Sequence, residues 1–158
     1  MRDCYIVLDP VAPDMDEYKA SILANEFQTW DFGHGQAFHN IAKLGPTLFS
    51  TYLEGFLPAY TEVAHFARKS PEGQLEPNYI HSDEAHADLT ALLFLSDHPD
   101  CGTRLYSNDG KPIVTIHMKK GTAFVFTSSV KHSRLLENNF GEGDDARLVE
   151  VVFLKQIK

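Results

Sequence analysis

Three short stretches of this chain carry residue types that can do metal chemistry. They are Asn78-Tyr79-Ile80-His81-Ser82-Asp83, Lys131-His132-Ser133-Arg134 and Ala146-Arg147-Leu148-Val149. In chain order they supply His-x-Asp, a second His and an Arg. Two imidazoles and one carboxylate on one face of a ferrous ion leave its remaining positions open for reactants. A guanidinium further along the chain has the planar fork that holds a carboxylate by two hydrogen bonds.

Spacing decides which of these residues can act together. Side chains two apart on a strand project to the same face, so His81 and Asp83 point together. His132 comes 49 residues after Asp83 and must reach the pair from a later strand. A His-x-Asp pair by itself is common, and an exposed loop ion pair is the ordinary alternative. His86-Ala87-Asp88 repeats the spacing five residues on and competes for the same role. Asp88, however, opens the apolar run Leu89-Thr90-Ala91-Leu92-Leu93-Phe94-Leu95, and His81 with Asp83 is the preferred pair.

Arg147 begins the strand-like run Leu148 to Leu154. Its same-face neighbours Val149, Val151 and Phe153 are apolar, so its charge needs an anion partner. A structural pair with Asp144, Asp145 or Glu150 is the alternative. Arg134, two residues from His132 and on its face, belongs nearer the metal ligands or the substrate. His65 and Arg68 lie on the strand before the His-x-Asp segment, and with Trp30 they are candidate substrate contacts. His34, His39, His98 and His117 have no matched partners and read as ordinary loop or strand residues. Phe49, Tyr52 and Phe56 read as helix-to-sheet core.

The elements that must position these residues follow from periodicity. A strand is predicted from Cys4 to Leu8. Asp14 caps a helix running to about Phe27, with Met15, Tyr18, Ile22 and Leu23 at helical spacing. Gln28 to Phe32 reads as a strand, and His34 to Leu44 as a loop. Pro46 suits a first helical position. The stripe Leu48, Phe49, Tyr52, Leu53, Phe56 and Leu57 follows, ended by Pro58. From there the period is two. Strands are predicted at 59–68, 78–83, 89–96, 103–107, 112–118, 121–127, 130–136 and 146–156. Asn108-Asp109-Gly110 is a hairpin signal, and Lys119-Lys120-Gly121 is a second tight turn. Two helices and about eight short strands predict a mainly β sandwich or jelly roll with flanking N-terminal helices.

Bulk properties narrow the class. The 158 residues are expected to form a single domain, 1–58 as helix-containing support and 59–158 as the jelly-roll core. A hydrophobic fraction of 43% is ordinary for a globular chain, and no apolar run approaches membrane-span length. The net charge of −8 argues against broad nucleic-acid binding. Met1-Arg2-Asp3-Cys4 lacks the basic-then-apolar order of a signal peptide. Cys4 and Cys101 make no disulfide framework, so a cytoplasmic setting is expected.

A family resemblance rests on several of these segments together. Tyr79-Ile80-His81-Ser82-Asp83, then Ala91 to Ser96, then Gly102-Thr103-Arg104-Leu105-Tyr106, resembles the core of the iron(II)- and 2-oxoglutarate-dependent dioxygenases, in their prolyl-hydroxylase-like branch. Gly121 to His132 is similar to that branch's strand, small-residue turn and distal His. Phe140-Gly141 through Arg147-Leu148-Val149 is similar to its closing loop and Arg strand. The resemblance spans about residues 60 to 156. It implies a double-stranded β-helix (jelly roll, cupin-like) holding iron(II) on His81, Asp83 and His132. It further implies 2-oxoglutarate with its far carboxylate on Arg147, and dioxygen as the oxidant. The implied reaction is hydroxylation of a substrate C–H bond with release of succinate and carbon dioxide. The substrate is a small molecule or peptide that the sequence does not name. Many relatives carry Ser or Thr two residues after the Arg; here Val149 stands there, and the second contact is expected from Tyr79, Thr90 or a water. Asp83 sets the chain apart from the halogenating subset, which has a small residue at that place. Two other classes remain: a non-oxidative or hydrolytic metal enzyme, and a jelly-roll binding module with a degenerate site.

Overall fold

The computed structural model describes residues 5–8, 12–33, 36–70, 80–135 and 146–158, with 29–33, 36–39 and 99–100 described by backbone alone. In chain order the elements are β1 (Tyr5–Leu8), α1 (Met15–Leu23), β2 (Gln28–Gly33), β3 (Gln36–Lys43), α2 (Leu48–Phe56) and β4 (Tyr60–Ser70). Then come β5 (Leu89–Phe94), β6 (His98–Tyr106), β7 (Pro112–Met118), β8 (Ala123–Thr127), β9 (Lys131–Arg134) and β10 (Arg147–Gln156). Seven strands form one sheet in the order β1-β8-β5-β10-β4-β3-β2, and three form a second in the order β7-β6-β9. All the strand pairs are antiparallel. The two sheets face each other as a jelly roll, the double-stranded β-helix. No helix among the described residues is long and apolar enough to cross a membrane.

The central strands β5, β8 and β10 are apolar on both faces because both faces are covered. Leu92 and Phe94 of β5, Phe124 and Phe126 of β8, and Val149 and Val151 of β10 pack inward with Cys101, Leu105, Ile116 and Met118 of the smaller sheet. Their strand neighbours Leu93, Val125, Leu148 and Val152 pack outward with Tyr18 and Ile22 of α1 and Phe49 and Leu53 of α2. Period-two alternation thus feeds two cores, and near-continuous hydrophobic strands result.

A buried polar junction holds both helices to the outer face. Glu150 of β10, fully buried, accepts hydrogen bonds from the Tyr18 hydroxyl at 2.5 Å and the Thr47 hydroxyl at 2.7 Å. His65 Nε2 lies 2.5 Å from the same carboxylate. Burial, then the adjacent Glu150 charge, raises the Tyr18 phenol well above its ordinary range, so it stays protonated as a donor. Each carboxylate oxygen is satisfied, the condition under which a buried charge is tolerated.

Both tight turns form, with Gly110 and Gly121 in the left-handed region. Gly102 of β6 matters more. Its φ is +154°, and a Cβ there would sit 2.2 Å from the Ile116 carbonyl oxygen of β7. Only glycine lets the two strands approach this closely.

Four local expectations differ from the structure. Within the expected 34–44 loop, Gln36–Lys43 forms β3, because Ile41, Ala42 and Lys43 pair with Arg68, Ala67 and Phe66 of β4. Pro46 precedes α2 instead of opening it. Thr47 is the N-cap, in a reciprocal capping box with Ser50. Helix α1 stops at Leu23, where the Asn25 amide donates to the Ser21 and Ile22 carbonyls. The expected strand at 78–83 is reduced, within its described residues, to a single bridge at His81.

Candidate metal centre

That bridge brings the two histidines together. His81 N donates to His132 O at 3.0 Å, and His132 N donates to His81 O at 2.8 Å. The chain then turns at Asp83, whose N–H donates to Ser128 O at 2.8 Å and whose carbonyl accepts from His86 N. Two segments far apart in sequence are locked by main-chain hydrogen bonds, and their side chains meet as a consequence. The imidazole centroids are 4.3 Å apart. His81 Nε2 lies 3.6 Å from Asp83 Oδ1, and His132 Nε2 lies 3.3 Å from Asp83 Oδ2. One ligand atom from each of the three residues falls within 4.8 Å of the others, which suits a single ion.

Asp83 and His132 are buried, whereas the His81 side chain is 39% exposed. The cluster therefore has one side open to solvent and one side walled off. Phe126 forms part of that wall, with its ring centroid 4.8 Å from the His132 ring. The His132 tautomer follows from its neighbours. Nδ1 is 3.1 Å from Val130 O, which can only accept, so Nδ1 carries the proton and Nε2 keeps its lone pair. A metal-ligating imidazole is commonly oriented in this way. Burial lowers the His132 pKa below its ordinary value, and the neighbouring Asp83 charge opposes that shift. Burial is the larger cause, so the imidazole is neutral and ready to coordinate at neutral pH.

The other candidates are placed as follows. His86 is exposed and stacks on Phe153 at 6.1 Å, and Asp88 is exposed with a carboxylate oxygen accepting from Gln156 N. Neither joins the cluster. Arg147 is buried on the face that Val149 and Val151 turn toward the inner core. Strand alternation puts Glu150 on the opposite face, already bound by Tyr18, Thr47 and His65, so it is not Arg147's counter-ion. Asp144 and Asp145 lie outside the described residues. Among the described residues, Arg147 Nε has no hydrogen-bond partner. Arg134 pairs in register with Thr103 and shares the His132 face.

Thr90, expected at the far carboxylate, instead donates to Asp83 Oδ2 at 3.0 Å. His65, expected among substrate contacts, points to the outer face and is buried against Glu150, so it does not reach the cluster. Arg68 lies across from Val149 and shares its inner face. Tyr79 and the Trp30 side chain lie outside what the structure describes. Sequence reading missed Ser128, which is fully buried beside Thr90. Its only signal was a small-residue turn, Thr127-Ser128-Ser129, ahead of the second His.

No protein-family model matches the sequence, and no curated protein matches it. Solved structures do match in fold. The non-heme alpha ketoglutarate dependent epimerase SnoN from nogalamycin biosynthesis aligns with a TM-score of 0.67 at 17% identity, covering 97% of this chain and 78% of that one. A Pseudomonas putida prolyl-4-hydroxylase aligns with a TM-score of 0.65 at 17% identity, covering 98% and 93%. HygX from Streptomyces hygroscopicus, solved with nickel and 2-oxoglutarate bound, aligns with a TM-score of 0.57 at 12% identity, covering 95% and 82%. The fold of this chain is thus that of the 2-oxoglutarate–iron(II) oxygenases.

Proposed function

We propose that this protein is an iron(II)- and 2-oxoglutarate-dependent oxygenase that hydroxylates a C–H bond of a small-molecule or peptide substrate. The observation that carries this reading is the convergence of His81, Asp83 and His132 into one cluster with a solvent-open side. Two neutral nitrogens and one carboxylate are the donor set that suits iron(II) with vacant positions. Arg147, buried and with its Nε lacking a partner among the described residues, adds a guanidinium facing the same inner core, suited to the far carboxylate of 2-oxoglutarate.

Iron(II) in this site would supply dioxygen activation coupled to oxidation of 2-oxoglutarate to succinate and carbon dioxide. The chain's own residues perform the rest. His132, fixed by Val130 O and backed by Phe126, presents one nitrogen in a set direction. Asp83 balances charge and is oriented by Thr90. The inner core of Phe94, Phe124, Phe126, Val149 and Val151 excludes water behind the cluster. Arg147 neutralises an anion that this apolar interior would otherwise reject.

The test is anaerobic addition of iron(II) and 2-oxoglutarate to metal-free protein. A visible charge-transfer band and a one-to-one-to-one complex in native mass spectrometry are expected. Metal binding with no 2-oxoglutarate binding would favour a hydrolytic or other non-oxidative metal enzyme. Failure to bind any divalent metal would favour a binding module.

Metal occupancy should depend on pH in a definite direction. Coordination needs neutral imidazole, so protons compete with the metal. Occupancy measured from about pH 8 to pH 5 should fall at the acid end, around and below the free imidazole value of about 6.5. Stability of the metal-free protein should follow the same sign. With His132 depressed in the folded state, the unfolded chain takes up that proton first. Its contribution is complete above the unfolded value and is lost as pH falls toward the folded one. Occupancy that stays flat across this interval would count against imidazole ligation.

A further inference from the structure

We infer that Thr90 and Ser128 form a positioning pair that sets the rotation of the Asp83 carboxylate for metal binding; this rests on the metal-centre reading above. The direction of the relay follows from valence. A carboxylate can only accept, so the one hydroxyl hydrogen of Thr90 goes to Asp83 Oδ2 at 3.0 Å. The Thr90–Ser128 contact, also 3.0 Å, must then use the hydrogen of Ser128. Both hydroxyls are buried, Thr90 at 1% exposure and Ser128 at 0%. Neither can trade this bond for water, so the chain Ser128 to Thr90 to Asp83 is held in place.

The backbone reinforces it. Ser128 O accepts from Asp83 N, and Ser128 N donates to Asp88 O. Thr90 sits on β5, in register with Phe126 of β8 and Phe153 of β10. The carboxylate thus rests on a rigid sheet although Asp83 itself is on a turn. The consequence concerns coordination number. A hydrogen bond into Oδ2 occupies one of its lone pairs and resists rotation of the carboxylate. Bidentate chelation, which would use both oxygens and close one more position on the metal, is disfavoured. Monodentate binding keeps three positions free, the number that a chelating co-substrate and dioxygen together require.

The experiment uses cobalt(II) as a spectroscopic stand-in, added to metal-free full-length protein without co-substrate. Affinity is read by competition with a chelating indicator, coordination by the visible spectrum, and folding by circular dichroism. Thr90→Val, which keeps the shape and removes the hydroxyl, is expected to weaken cobalt binding about 10- to 100-fold and to alter the spectrum. Thr90→Ser should restore both to near wild type. Wild-type affinity and spectrum in a folded Thr90→Val protein would overturn the inference. Should Thr90→Val fail to fold, Ser128→Ala carries the test. It is expected to alter the spectrum with a smaller loss of affinity, and no change in either would overturn the relay. Asp83→Ala separates the two levels. If it leaves cobalt binding intact, the metal-centre reading fails; if it abolishes binding while folded Thr90→Val keeps wild-type affinity and spectrum, only the positioning role fails.

Discussion

His81→Ala and His132→Ala are each expected to abolish stoichiometric iron(II) binding while the protein stays folded. Three donors hold the proposed ion, and removing one leaves a two-point site of far lower affinity. His81 is the cleaner probe. Its side chain is 39% exposed, and its backbone bridge to His132 is retained by alanine. His132 is buried against Phe126, so its truncation also leaves a cavity and should lower the melting temperature. His86→Ala is the internal control: His86 lies outside the cluster, so this variant protein should bind iron(II) normally. The measurements are metal content after gel filtration and circular dichroism of each variant. Iron retained in folded His81→Ala but lost in His86→Ala would mean that the metal sits elsewhere.

Arg147→Ala should weaken 2-oxoglutarate binding severely while leaving iron(II) binding unchanged. Removing one partner of a buried, charge-assisted pair costs about 2–5 kcal/mol, or roughly 30-fold and upward in affinity. Arg147→Lys keeps the charge but loses the planar fork, so it should fall between wild type and alanine. The two-residue neighbour Val149 offers no hydroxyl to share the load, and Thr90 is committed to Asp83. Calorimetry, or titration of the anaerobic charge-transfer band, reads the effect. Unchanged affinity in Arg147→Ala would move the anchor to Arg134, which shares the His132 face.

Local chemistry made several elements legible before any fold was known. Asp14 accepts from Asp16 N and Glu17 N as the predicted cap of α1, and the two glycine turns fall where they were read. The alternation of β10 correctly put Arg147 on one face with Val149 and Val151. Segments whose structure depends on partners were not legible. Residues 36–43 carry no strong strand pattern and are strand because β4 lies beside them. His81 was read as part of a full strand, yet the contact that matters is one bridge to a residue 51 positions later.

What the sequence by itself determined was the inventory and the order: two imidazoles, a carboxylate and a guanidinium, each beside strand-forming runs. That follows because strand periodicity and side-chain chemistry are local properties. What only the tertiary structure decided was the set of partners. His65, Thr90 and Glu150 are each polar residues on β-strands, and nothing in their immediate sequence separates their roles. The register of β10 against β4 and β5 turns Glu150 and His65 outward to pin the helices, and turns Thr90 inward to Asp83. A hydrogen bond depends on where two chains cross, and that crossing is set by the packing of both cores at once rather than by the residues that make the bond.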